Sequence, residues 1–191
     1  MNPRGRMNRS PFELVLLGSG TCVPQTDSYA SGYIVRFAGK TILLDCGPGI
    51  VRRMAEAGID YKTIDAICLT HFHPDHTSDL APFFLATQYT PGFQRTNPLR
   101  IFGPPGLSDF FHSLAKLYGD WIKKSVFPVE LREIARNSLS LASLQINSVP
   151  VAHSHAAVAY RIAAPDGRSV TYSGDTGFTP ALIELAAGTD L

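Results

Sequence analysis

The segment His71-Phe72-His73-Pro74-Asp75-His76 constrains this chain more than any other stretch, because four of its six side chains are metal-ligand types at fixed intervals. It follows the apolar run Ala66 to Leu69, which reads as a short buried strand delivering the chain to Thr70 and the histidines. With 6 histidines in 191 residues, composition alone yields His-x-His-x-Asp-His in roughly three of ten thousand such chains, so chance is set aside. In an extended loop side chains two apart point the same way, so the spacing predicts that His71 and His73 share one metal while Asp75 and His76 reach a second. Neutral imidazole and carboxylate suit zinc, with iron or manganese as substitutes.

Around this segment the patterning alternates strands and helices. Strands are expected over Glu13 to Leu17, Gly32 to Phe37 and Thr41 to Asp45, the last two joined by a hairpin at Gly39-Lys40. A helix is expected from Ile50 to Ala57, stopped by Gly58. Thr77 or Ser78 is expected to cap a second helix running to about Thr87. A strand from Leu99 to Phe102, a helix from about Leu107 to Tyr118, and strand-like runs over Val126 to Val151, Val158 to Ala163 and Ser169 to Tyr172 follow. A final helix spans about Pro180 to Ala187. Clusters of strands each followed by a helix give an α/β chain whose helices flank stacked sheets.

The length suits one domain, expected over 11–191 behind a polar, disordered segment 1–10. Seventeen Lys plus Arg against sixteen Asp plus Glu, scattered in pairs, argue against a dedicated nucleic-acid surface. Cys22, Cys46 and Cys68 are widely spaced, contain no Cys-x-x-Cys pair, and read as reduced thiols. The apolar run Leu14 to Leu17 is too short for a secretory leader, and no stretch approaches the roughly 20 apolar residues that span a bilayer, so a soluble, cytoplasmic protein without membrane contact is expected.

Two further ligands are expected downstream. His153 ends a strand running from Ile146 to Ala152, and strand ends are where loop-borne ligands gather; its neighbour His155 is the alternative. Asp175 lies in Tyr172-Ser173-Gly174-Asp175-Thr176-Gly177, where glycines allow a tight bend and one carboxylate can bridge two cations. From the local sequence alone Asp175 could equally be an ordinary Asx-turn residue. His112 falls in an amphipathic helix and reads as structural.

Taken in order, Leu17-Gly18-Ser19-Gly20-Thr21, Leu44-Asp45-Cys46-Gly47-Pro48-Gly49, Thr70 to His76, Gly103-Pro104, His153 and Ser173-Gly174-Asp175-Thr176 resemble the metallo-β-lactamase superfamily. The likeness is greatest to its ribonuclease Z, arylsulfatase and cyclic-phosphodiesterase branch and runs from about Leu14 to the chain end. It implies an αββα sandwich with two zinc ions at one edge of the stacked sheets. It assigns His71, His73 and His153 to the first ion, Asp75 and His76 to the second, and Asp175 to the bridge. Asp45 is implied to buttress the site from behind, with capping of the turn at Gly47 as its alternative role. Two cations sharing a water supply hydroxide near neutral pH, with Asp75 orienting it, so the implied activity is ester hydrolysis.

The resemblance also shapes the expected substrate. Lactam hydrolysis is disfavoured, because the best-known lactamases carry cysteine where this chain has Asp175. Ribonuclease Z enzymes commonly insert a tRNA-gripping arm between the positions matching His153 and Asp175, and here the gap is 175 − 153 = 22 positions, filled by two strands. A phosphodiesterase acting on a small-molecule or nucleotide-like ester is expected, with aryl sulfates or lactones as alternatives, a catalytically silent metal-binding module as a rival, and tRNA disfavoured. No histidine follows His155, whereas relatives supply a last one to the second metal. A C-terminally truncated domain is therefore expected, with a weakened second ion and an open sheet edge that invites a homodimer.

Overall fold

The computed structural model describes residues 10–119, 122 and 127–191. Of the segment expected to be disordered, 1–9 lies outside the described residues, as does the start of the run expected from Val126.

Among the described residues, ten strands form two sheets. The first holds β1 (Phe12–Gly18), β2 (Gly32–Phe37), β3 (Lys40–Leu44), β4 (Ala66–Cys68), β5 (Leu99–Gly103) and β6 (Val129–Glu133), side by side in chain order. The pairs β1–β2 and β2–β3 are antiparallel, and every later pair is parallel. The second sheet is antiparallel throughout, in the order β10 (Ser169–Tyr172), β9 (Val158–Ala163), β8 (Leu144–Pro150), β7 (Asn137–Leu141). The helices are α1 (Ile50–Glu56), α2 (Pro74–Thr77), α3 (Leu80–Tyr89), α4 (Leu107–Tyr118) and α5 (Pro180–Ala186).

Period-two alternation along the central strands sorts side chains between two cores. Ile42 and Leu44 of β3, with Ala66 and Cys68 of β4, pack against Leu139, Leu141, Ile146, Tyr160 and Ile162 of the second sheet. Leu43 and Ile67 point the other way, onto Ile50 and Met54 of α1, Phe83 and Phe84 of α3 and Leu107 of α4. On the far side Val149 and Ala159 meet Ala181, Leu182 and Leu185 of α5. The layers are thus helix, sheet, sheet, helix, the expected αββα sandwich.

Local differences have physical causes. The β2–β3 turn is Ala38-Gly39, one residue before the expected place, because both turn positions take positive φ (48° and 76°) and Phe37 pairs directly with Lys40. Neither Thr77 nor Ser78 caps a helix; their hydroxyls donate back to the His73 and Pro74 carbonyls. The expected second helix is α3, which begins at Leu80 and runs to Tyr89, and α2 is a separate turn ahead of it. Asp79, at the start of α3, accepts the Val51 N–H instead and so closes the first turn of α1, whose own leading residue Gly49 has no side chain to do so.

Candidate metal centre

β3 and β4 run parallel, so Asp45 and Thr70 leave the first sheet along one edge. The β8–β9 loop comes to the same place, where the Val158 N–H donates to the Thr70 carbonyl at 2.9 Å. β10 ends there too, because Tyr172 pairs with Tyr160. Three strand ends, those of β4, β8 and β10, therefore deliver the six expected ligand residues to one rim, where the end of β3 brings Asp45.

The extended stretch assumed for 71–76 holds only for its first half. His73 is extended (φ −63°, ψ 149°), Pro74 opens α2, and Asp75 and His76 ride on that helical turn. His71 and His73 consequently face each other, with Nε2 of the first 3.1 Å from Nδ1 of the second. His153 lies three residues beyond the end of β8 rather than in the strand, and its Nε2 comes to 3.2 Å from the same His73 Nδ1. These three residues place ligand atoms within 4.8 Å of one another, and so do His71, His76 and Asp175. His76 Nε2 stands 3.3 Å from Asp175 Oδ1 and 3.7 Å from Asp75 Oδ2. His71, assigned by resemblance to one ion, is within reach of both groups. His155 stays exposed at the rim, its ring 5.3 Å from that of His73 and its Nδ1 paired with Ser154. His112 sits on α4 beside Ser108.

Asp45 organises this cluster. It is completely buried and adopts a left-handed backbone (φ 56°), a conformation that costs a residue with a Cβ roughly 1 kcal/mol. Its Oδ1 accepts the Thr70 N–H at 2.7 Å, and its Oδ2 accepts the Thr70 hydroxyl (2.8 Å), His76 Nδ1–H (2.6 Å) and the Tyr172 hydroxyl (2.6 Å). Because the Thr70 hydroxyl donates to Asp45, it accepts from His71 Nδ1–H at 3.0 Å. One carboxylate thus sets both tautomers, leaving the Nε2 lone pairs of His71 and His76 facing the ligand groups. This is the buttress the resemblance implied, and capping at Gly47 is not what Asp45 does. Thr70 and Tyr172 carry roles that their sequence context did not single out, although each adjoins a ligand segment.

Electrostatics agree with the geometry. Burial, reinforced by His76 and the other histidines, lowers the His71 pKa to about 4, so this ring is neutral near pH 7. At His76 burial pulls downward, but the Asp45 hydrogen bond and charge, then Asp175 and Asp75, outweigh it and the pKa is raised. Burial, ahead of the Asp45 charge, holds the Tyr172 phenol well above its ordinary range, so it keeps the proton it donates. Burial likewise raises the Cys46 and Cys68 thiols, which leaves them without the thiolate a metal would take. His71 Nε2 and His153 Nε2 both converge on His73 Nδ1, at 3.1 and 3.2 Å, and His76 Nε2 faces the Asp175 carboxylate at 3.3 Å, which gathers imidazole nitrogens and carboxylate oxygens in one place. The donor set therefore fits divalent ions of the zinc type.

Comparison with known proteins follows the same lines. A family model described as "Anti-Pycsar protein Apyc1" matches residues 12–190. The ribonuclease Z of Mycobacterium marinum is 30% identical over 189 residues, which cover 93% of this chain and 67% of that protein. Among solved structures, the metallo-β-lactamase-fold protein YhfI of Bacillus subtilis superimposes with a TM-score of 0.79 at 21% identity, over 95% of this chain and 69% of that one. The short form of human tRNase Z gives 0.77 at 22% identity, over 93% and 75%.

Proposed function

From the premise that this chain belongs to the anti-Pycsar protein Apyc1 family and to the ribonuclease Z-like branch of the metallo-β-lactamase superfamily, we propose that it is a zinc-dependent phosphodiesterase acting on a small ester. The observation that carries this reading is the pair of donor groups at one rim, both governed by Asp45. His71, His73 and His153 would hold one ion, and Asp75, His76 and Asp175 the other, with Asp175 reaching across. Bound there, the ions supply Lewis acidity, bringing the pKa of a water towards about 7 and offsetting charge on the phosphoryl oxygens.

The chain's own residues do the rest. Asp75, with its side chain 15% exposed beside His76, orients the attacking water and accepts its proton. Asp45 and Thr70 hold His71 and His76 in the tautomers that leave Nε2 free. Asp175, half exposed, fixes the outer side of the site. A small substrate is favoured because the β9–β10 hairpin fills the stretch between His153 and Asp175.

Asp75→Ala is the direct test. It should lower hydrolysis of an aryl phosphodiester by at least about a hundredfold while circular dichroism and zinc at the three-histidine group stay like the parent. Unchanged turnover, or preference for precursor tRNA, an aryl sulfate or a lactone, would refute the reading, as would bound zinc without any ester hydrolysis.

A further inference from the structure

Of the two histidines in the loop between β8 and β9, His153 falls within a group of ligand atoms and His155 does not. We propose that His155 is a substrate-contacting residue whose Nε2–H donates to a non-bridging phosphoryl oxygen of the ester. The proposal rests on the phosphodiesterase reading and adds the side chain that holds the phosphoryl group from the protein side.

Three observations carry it. The first is position. The His155 ring stands 5.3 Å from the His73 ring at an angle of 82°, so it borders the three-histidine group without joining it. The loop that presents it is closed at its base, where the Val151 N–H donates to the Ala157 carbonyl at 3.1 Å. It is also stitched to the Asp175 turn: the Gly177 N–H donates to the Ala152 carbonyl at 2.7 Å, and the Ala152 N–H to the Thr179 hydroxyl at 3.0 Å. An exposed ring on so short and tied a loop lies within reach of a group bound at the rim.

The second observation is the donor itself. The Ser154 hydroxyl lies 3.2 Å from His155 Nδ1; donating there, it leaves the proton of a neutral ring on Nε2, and a protonated ring carries one there in any case. Nε2–H is thus a donor in both states, so the contact does not depend on titration. The third is that the neighbouring donors are committed. Thr70 donates to Asp45, Thr77 and Ser78 to the His73 and Pro74 carbonyls, Ser173 to the Gly174 carbonyl, and Thr176 and Thr179 to the Gly177 carbonyl. Among the described residues no lysine or arginine pairs with Asp75 or Asp175. An anionic phosphoryl group brought beside those carboxylates meets repulsion on the protein side, and among the described residues of these ligand segments His155 is the side-chain N–H left to offset it.

The test uses the zinc-loaded full chain and two readouts. One is hydrolysis of bis(p-nitrophenyl) phosphate and of diphenyl phosphate, whose leaving group is poorer. The other is calorimetric binding of diphenylphosphinate, which carries two non-bridging oxygens and one charge but no ester bond. His155→Ala should lower kcat/KM about 10- to 100-fold for both esters and weaken phosphinate binding about tenfold, with zinc content and circular dichroism like the parent. His155→Gln keeps an amide N–H near the Nε2 position and does not titrate, so it should restore both readouts to within about threefold of the parent. Unchanged phosphinate affinity in His155→Ala would overturn the proposal. Loss of zinc in that variant would do so too, by making His155 a metal ligand. A rate loss that is larger for diphenyl phosphate and is not restored by glutamine would make the residue a proton donor to the leaving oxygen, and this likewise overturns it. Phosphinate binding that responds to His155 in a chain that hydrolyses no ester would uphold the contact and sink the phosphodiesterase reading alone.

Discussion

Asp45 shows how much of a metal site can reside in a residue that would touch no metal. It accepts four hydrogen bonds from three residues and through them orients His71 and His76. Asp45→Asn keeps the shape but puts an amide N–H where three donors converge, so zinc affinity should fall about 10- to 100-fold in a chelator competition; parental affinity would contradict the role. A pH prediction follows from the two shifted histidines. A cation binds only the free nitrogen, and His76 holds its proton to a pH above the ordinary 6.5, so affinity at the His76 group should climb up to about tenfold per unit as pH rises through that window. The three-histidine group should be less sensitive on account of His71, neutral down to about pH 4. In the metal-free chain His76 stabilises the fold fully below 6.5 and loses that contribution as pH rises through its raised value. His71 acts in the opposite sense, destabilising the fold as pH falls from 6.5 towards 4. Proton release measured on zinc binding in buffers of different ionisation enthalpy separates the two groups.

At the scale of elements, the site depends on turns that let separate strands converge. Gly174 takes φ 57°, and a Cβ there would lie 2.6 Å from Thr70 Cβ, so Gly174→Ala should push the Asp175 turn off the Thr70 strand end. Loss of about 1–3 kcal/mol in a denaturant titration, with one zinc equivalent weakened, is the expected result. The histidine segment and the strand runs were legible because side-chain type and period-two alternation are local properties, as at Gly32–Phe37 and Ser169–Tyr172. What resisted reading was decided by partners far along the chain. Thr77 and Ser78 look like caps, yet their hydroxyls turn back on α2, and Asp79 caps a helix 28 residues earlier. Tyr172 reads as an ordinary strand residue, and only the pairing of two sheets brings its hydroxyl to Asp45, 127 positions away.

The whole molecule matters because the proposed ligands are divided between its two sheets. His71, His73, Asp75 and His76 follow β4 of the first sheet, while His153 and Asp175 follow β8 and β10 of the second. Ile146, 1% exposed between the sheets, should on truncation to Ala destabilise the fold by about 2–4 kcal/mol. It should also lower zinc retention at elevated temperature although it lies within the sandwich, because slippage of one sheet over the other separates the donors. Among the described residues no helix is long and apolar enough to cross a membrane. The activity proposed for this rim is metal-dependent hydrolysis of a small phosphodiester. Turnover of bis(p-nitrophenyl) phosphate, followed through complete chelation and zinc restoration in the parent and in His153→Ala, tests it most directly. The parent should lose activity with its metal and regain it with zinc, and His153→Ala should retain little at any zinc concentration up to saturation of the parent. Activity that survives full metal removal, or a zinc-loaded parent that cleaves nothing, would contradict the account.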